Sequence, residues 1–394
     1  SKAMGVWRRR GSNITLDART SRSPKIALVA NTSWYLHNFR TRLMNALREM
    51  GCEVLAVAPE DEYSRKLIAA GFSHRHIPLD ATGVNPVPEL QSILSLRRLL
   101  YAERIQTVLS FTPKGNVHCG LAIAGSNIAF VPNISGLGRG FSEESGLRWA
   151  AKATFKLALR RATTVFFQND DDLRMLVSMR IVDAAKALRI PGSGVDLRRF
   201  SHQNNDAPRD SESLIFLFIA RLLWEKGLGQ YAAAAKNVRA RLPHARFQVL
   251  GRLQKGAGGV PKVKIDGWVD EGAIEFLGET DDVRRYIDAA DCIVLPSYYR
   301  EGVPRSLLEA AAMAKPVISC DVAGCRDAVT HNATGYLCRP RDVEDLTVAL
   351  EKFIGLSALE RKAMGLRGRA KMETEFDEML VINQYLDVVS QIAF

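Results

Sequence analysis

Short apolar runs bounded by turn residues alternate with helical patterns along almost the whole chain. In the first half the runs are 25–31 (KIALVAN), 52–58 (CEVLAVA), 106–110, 128–132 and 163–167 (TTVFF). Helical stretches at 38–50, 88–102, 114–124 and 146–161 separate them. A strand that is apolar on both faces must be covered on both, which is the situation of a parallel sheet built from βαβ units. The alternation stops at 191–212, a stretch rich in Gly, Ser, Asn and Asp, and then restarts. New apolar runs follow at 214–220, 245–250, 274–277, 291–295 and 316–319, before an almost wholly helical tail at about 342–392. The pattern predicts two α/β domains joined by a linker, with a ligand cleft between them. It shows no repeat of 20–50 residues.

Length and composition narrow the class. A chain of 394 residues with 47% hydrophobic and 25% charged residues can bury large cores, and is neither collagenous nor mostly disordered. No apolar run reaches the roughly 18 residues that a spanning helix needs. The N-terminal segment lacks the apolar stretch of a secretory signal. Residues 1–24 carry six basic side chains against one acid, Asp17, and read as a disordered basic leader. The six cysteines (52, 119, 292, 320, 325 and 338) have no C-x-x-C or zinc-ligand spacing and read as reduced core thiols. The net charge of +11 is uneven: residues 1–200 contribute +13 and the remainder −2. An anionic partner is therefore expected on the first half, whether phosphate, membrane surface or nucleic acid.

The densest chemistry lies at 291–319, DCIVLPSYYREGVPRSLLEAAAMAKPVIS. A buried strand ends in a Pro296–Ser297 turn, and a helix starts near Pro304, a residue suited to a first helical turn. Glu301 precedes the helix and Glu309 lies within it. Helix-start amides at the carboxyl end of a strand form an anion site. Two carboxylates beside it suit a hydroxyl-rich ligand, since each accepts several hydrogen bonds. Glu309 sits in an otherwise apolar segment, where a carboxylate without a task is costly. The second segment is 218–227, FIARLLWEKG, where Arg221 and Lys226 flank the turn after a buried strand. A planar guanidinium fork and a point charge together can clamp a diphosphate.

R-x4-KG followed about 75 residues later by E-x7-E resembles the donor site of glycosyltransferase family 4. IPGSGVD (190–196) resembles that family's interdomain crossing, and GETDDV (278–283) its loop beside the nucleotide base. Within the family, FTPKGN, NISGLGRGF, FFQNDDD and YYREGVPRSLLEA resemble bacterial enzymes that extend polyprenyl-diphosphate-linked sugars, N-acetylgalactosaminyltransferases among them. The resemblance implies a GT-B fold: two facing Rossmann-like domains with a C-terminal helix crossing back to the first. The implied division is an acceptor domain at 25–195, a linker at 196–212, a nucleotide-sugar domain at 213–374 and the returning helix at 375–394. It implies a retaining transfer from a UDP-sugar without a metal cofactor, and no conventional protein nucleophile. Carried over residue by residue, Arg221 and Lys226 hold the diphosphate and stabilise the leaving charge. Glu309 binds the ribose hydroxyls and Glu301 those of the sugar, while the amides of Gly302 and Val303 meet the diphosphate or the sugar.

The first domain is expected to hold the acceptor. Asn31, Trp34 and Tyr35 follow its first strand, where the family usually has a glycine-rich turn, and this departure favours stacking on a sugar or lipid. Lys114 and His118 open the 114–124 helix, with His118 a candidate contact to the transferred sugar. Gly136, Gly138 and Gly140 do not make a dinucleotide fingerprint, and the DDD at 170–172 lies in the wrong domain for a metal–diphosphate bridge. In 147–161, Arg148, Lys152, Lys156 and Arg160 recur every fourth residue, on one face of a helix. Such a face suits an anionic bilayer, each cation contributing about 1 kcal/mol. The resulting expectation is a cytoplasmic enzyme, peripheral on the inner membrane, with a polyprenyl-diphosphate-linked acceptor and no nucleic-acid partner. A family relative with a soluble acceptor is the alternative. A non-enzymatic, basic lipid- or nucleic-acid-binding protein is a third reading, opposed by the paired Glu and paired cations.

Overall fold

The computed structural model describes residues 23–79, 86–137, 148–201, 213–254, 256 and 258–393. The leader to residue 22, linker residues 202–212, and Gly138 and Gly140 lie outside the described residues. Two all-parallel sheets account for the strands. The first has β1 (Lys25–Val29), β2 (Glu53–Ala58), β3 (Ser73–His76), β4 (Thr107–Ser110), β5 (Ala129–Ile134), β6 (Val165–Phe167) and β7 (Ala187–Arg189), in the order β3-β2-β1-β4-β5-β6-β7. The second has β8 (Ile215–Ile219), β9 (Arg246–Leu250), β10 (Glu275–Phe276), β11 (Cys292–Leu295), β12 (Val317–Cys320) and β13 (Gly335–Cys338), in the order β10-β9-β8-β11-β12-β13. Both are doubly wound. Strand order reverses between β1 and β4 in one sheet and between β8 and β11 in the other, and ligands bind open α/β sheets at such points.

Apart from 274–277, which became the edge strand β10, the apolar runs became interior strands because those strands need cover on both faces; β8, IFLFI, is buried at all five positions. Three strands were missed. β3 (SHRH), β7 (ALR) and β13 (GYLC) lie at sheet edges and carry little apolar signal of their own. Their pairing with a formed neighbour makes them strands.

Helix α1 (Ser33–Glu49) starts at once after β1, because the Thr32 hydroxyl caps the Tyr35 amide at 3.1 Å. It therefore begins well before residue 38, and Trp34 and Tyr35 lie in its first turn. The chain crosses between domains twice. Val195 on the outward crossing and Phe376 and Glu378 on the return exchange backbone hydrogen bonds of 2.8 and 3.1 Å. The last helix, α14 (Glu378–Ala393), then inserts Val381, Ile382 and Tyr385 into the core formed by β1, α1 and β2. The Tyr385 hydroxyl accepts from the Asn133 amide at 2.7 Å. All six cysteines are buried and unbridged, and the Cys320 and Cys338 sulfurs are 3.7 Å apart.

Candidate active site

The two chemical segments of the second domain emerge from the two strands that flank its switch point. Arg221 and Lys226 follow β8, while Glu301 and Glu309 follow β11. A 3-10 turn (Trp224–Lys226) ends at Gly227, whose φ of 80° is left-handed. A Cβ there would lie 2.0 Å from the Pro296 carbonyl oxygen, so glycine lets the two loops touch.

That contact brings Lys226 to Glu301. Their side chains form an ion pair, both largely buried. The second Glu301 oxygen accepts from Ser297 Oγ at 2.6 Å, and Ser297 is itself fully buried. Glu301 is thus fixed at both oxygens. Arg221 is exposed, and its guanidinium has no hydrogen-bond partner among the described residues.

Glu309 is buried inside α10 (Arg305–Ala312). One oxygen accepts from Arg305 Nε at 3.2 Å; the other has no hydrogen-bond partner among the described residues. Burial pushes its carboxyl above the usual range, with Arg305 opposing. Arg305 also lies 4.6 Å over the Phe39 ring of α1 and donates to the Gly194 carbonyl at 3.2 Å. Sequence reasoning missed Arg305, although its i,i+4 spacing to Glu309 was the available signal. Asp281, in the 278–283 loop, accepts from the Tyr63 hydroxyl of the first domain at 2.5 Å. No sequence pattern marked Tyr63.

Three expectations need correction. The amides of Gly302 and Val303 do not face an open donor pocket. They donate to Ser135 O at 3.1 Å and to Gln168 Oε1 at 3.3 Å, because the first domain presses directly on this loop. His118 does not present a free imidazole edge. It lies in α4 (Pro113–Ala122), with Nε2 2.6 Å from Glu89 and Nδ1 3.4 Å from Ser92 on α3 (Pro86–Ala102). Burial lowers its pKa, and Glu89 opposes that. Lys114 is held by the same Glu89 at 2.5 Å rather than standing alone. Glu89 thus organises both residues, a role that sequence gave no sign of.

Around β1, Asn31 is half-buried and Trp34 is exposed, its ring edge-on to Phe39 at 5.0 Å. The Tyr35 hydroxyl is already used, accepting from the buried Arg40 at 2.7 Å. Lys152 and Lys156 lie on α5 (Arg148–Leu159), and the exposed Arg160 falls just past its end. The Arg148 side chain lies outside what is described. The outer surface of α5 is not purely basic, since Trp149 is 81% and Leu157 60% exposed. On α3, Val87, Leu90 and Leu94 are exposed as well, and α4 packs against both helices.

A family model described as glycosyl transferase 4-like matches residues 25–169, and one described as glycosyl transferases group 1 matches residues 213–355. This chain is a family 4 glycosyltransferase with the GT-B fold. Among curated relatives, the glycosyltransferase is 24% identical to N,N'-diacetylbacillosaminyl-diphospho-undecaprenol alpha-1,3-N-acetylgalactosaminyltransferase of Campylobacter jejuni, over 93% of this chain and 99% of that protein. It is 25% identical to UDP-Gal:alpha-D-GlcNAc-diphosphoundecaprenol alpha-1,3-galactosyltransferase of Escherichia coli, over 70% of this chain and 73% of that one. Among solved structures, sucrose-phosphate synthase of Thermosynechococcus elongatus superposes with a TM-score of 0.78 at 18% identity, covering 94% of this chain and 99% of that one. No helix among the described residues is long and apolar enough to cross a membrane.

Proposed function

We propose that this glycosyltransferase moves a hexose or N-acetylhexosamine from a UDP-sugar to a polyprenyl-diphosphate-linked sugar during assembly of a bacterial surface glycan. The observation that carries the reading is the gathering of Arg221, Lys226, Glu301 and Glu309 after β8 and β11. Its acceptor half draws on the full-length similarity to a transferase named for an undecaprenyl-diphosphate-linked sugar. The UDP half draws on the second relative, whose name specifies UDP-Gal.

In this reading Arg221 and Lys226 take the donor diphosphate and spread the charge that builds as the sugar leaves. Their two positive charges do the work that a divalent metal does elsewhere, so chelators leave the rate unchanged. Lys226 gives up Glu301 as it turns to the phosphate, which frees one Glu301 oxygen for a sugar hydroxyl while Ser297 keeps the carboxylate in place. Glu309 offers its unpaired oxygen to the ribose. The acceptor hydroxyl attacks from the face that the nucleotide leaves, giving its proton to the departing phosphate oxygen as the sugar–phosphate bond breaks, so the anomeric configuration is retained.

The acceptor is membrane-bound, and the first domain meets the cytoplasmic face of the membrane through α3 and α5. Trp149, Leu157, Leu90 and Leu94 supply apolar contact there, and Lys152, Lys156 and Arg160 supply charge. The test is release of free UDP from a panel of UDP-sugars, with and without a polyprenyl-diphosphate-sugar fraction, using the Lys226→Ala protein as blank. Release that needs both the lipid fraction and Lys226 is expected. Release driven instead by a water-soluble sugar phosphate would select the soluble-acceptor alternative. No release and no UDP binding would sink the reading.

A further inference from the structure

The segment 168–172 belongs to the acceptor domain, yet its side chains reach into the donor loop. Gln168 and Asn169 follow β6, and Asn169 caps α6 (Asp170–Ser178) by accepting from the Asp172 amide at 2.8 Å. The same Asn169 side chain donates to the Glu301 carbonyl at 3.0 Å. Gln168 Oε1 accepts from the Val303 amide at 3.3 Å, while its Nε2 is anchored to Asn133 Oδ1 at 3.2 Å. The fully buried Asp172 accepts from Arg300 at 3.0 Å. Ser135 O accepts from the Gly302 amide at 3.1 Å. Every residue from Arg300 to Val303 therefore has a hydrogen bond from the first domain.

Steric fit points the same way. A Cβ on Gly302 would lie 2.1 Å from Gln168 Oε1, and one on Gly136 would lie 2.8 Å from the Gly302 nitrogen. The Gly136 approach is to backbone and needs glycine, whereas a Cβ on Gly302 would push the end of the Gln168 side chain off the Val303 amide. The donor loop's own domain supplies the Lys226 and Ser297 contacts to the Glu301 carboxylate, and the first domain fixes the backbone that carries it.

We propose that Gln168, Asn169 and Asp172 are positioning residues that shape the 300–303 loop and thereby set Glu301 for catalysis. The inference rests on the role given to Glu301 above. It makes the acceptor domain part of the donor's catalytic apparatus.

The test uses the full-length enzyme and a double-mutant cycle. Asn169→Ser keeps an oxygen to cap α6 but no longer reaches the Glu301 carbonyl. Gln168→Met keeps length but removes the acceptor for Val303. Each is measured alone and combined with Glu301→Gln, reading kcat for UDP-sugar turnover and Kd for UDP. Each single variant is expected to lower kcat at least tenfold with Kd changed less than twofold. In the Glu301→Gln background, each is expected to cost less than a further twofold, because the residue acts through Glu301. A loss that multiplies fully onto Glu301→Gln would overturn the proposal, since a general packing defect behaves that way. So would a kcat within twofold of the parent while Glu301→Gln itself is severely impaired. If Glu301→Gln alone leaves kcat unchanged, the catalytic assignment of Glu301 falls and this inference with it.

Discussion

Replacing Glu309 by Gln tests the nucleotide site most directly. The carboxylate is buried, one oxygen meets Arg305 and the other has no partner among the described residues. A ribose diol that donates to it makes hydrogen bonds to a charged acceptor, each contributing about 1.5–3 kcal/mol. Glutamine keeps the shape but loses the charge and one acceptor. Taking the loss as one such bond, the Kd for UDP rises about 10- to 150-fold. Isothermal titration with UDP, 2′-deoxy-UDP and 3′-deoxy-UDP gives the decisive comparison. Wild-type protein should lose affinity when the hydroxyl facing Glu309 is missing, and the variant should lose little more. Equal weakening of UDP and both deoxy analogues by the variant would refute the ribose assignment. Folding is not expected to confuse the result. Burial raises the Glu309 pKa in the folded protein, so its ionised form opposes folding once pH passes from the unfolded value up through the folded one. Glutamine mimics the neutral form, and the variant should melt no lower than wild type at pH 7.5.

The same shift sets a pH dependence: affinity for a UDP-sugar should fall on acidification, beginning above the ordinary carboxyl pKa of 4.5, and Glu309→Gln should lack that limb. Gly302→Ala should cut kcat at least tenfold because its Cβ displaces the Gln168 amide, and adding Gln168→Ala should cost less than a further twofold; activity of Gly302→Ala within twofold of wild type would show that the Gln168–Val303 bond is not needed. Reversing Lys152 and Lys156 to Glu should lower binding to anionic vesicles by about 10-fold or more at low salt while sparing UDP affinity, from about 1 kcal/mol per cation. Vesicle binding by the wild type that persists in high salt would show that apolar contact, not charge, holds the surface. His118→Gln should lower kcat less than Glu89→Gln, since Glu89 holds both His118 and Lys114; the reverse order in steady-state turnover would restore a direct role for His118.

The alternation of buried strands and helices determined two doubly wound domains, because a strand that is apolar on both faces admits few other arrangements. R-x4-K and E-x7-E were legible for a similar reason. Each follows a strand at the switch point of the second sheet, β8 or β11, and a strand end is marked locally by where an apolar run stops. Lys226 and Glu301 could be named from sequence, but their ion pair could not, since it spans 75 positions and depends on the closeness of Gly227 to Pro296. Edge strands β3, β7 and β13 escaped notice because a neighbour's hydrogen bonds, rather than their own side chains, make them strands. His118 looked like a cleft residue from its place at the start of α4, and only the packing of α3 turned it toward Glu89. The grip of Gln168, Asn169 and Asp172 on residues 300–303 joins two domains more than 125 residues apart in sequence. A sequence read locally determines what each loop can bind, whereas the meeting of two rigid sheets decides which amides remain for the ligand and which are already taken.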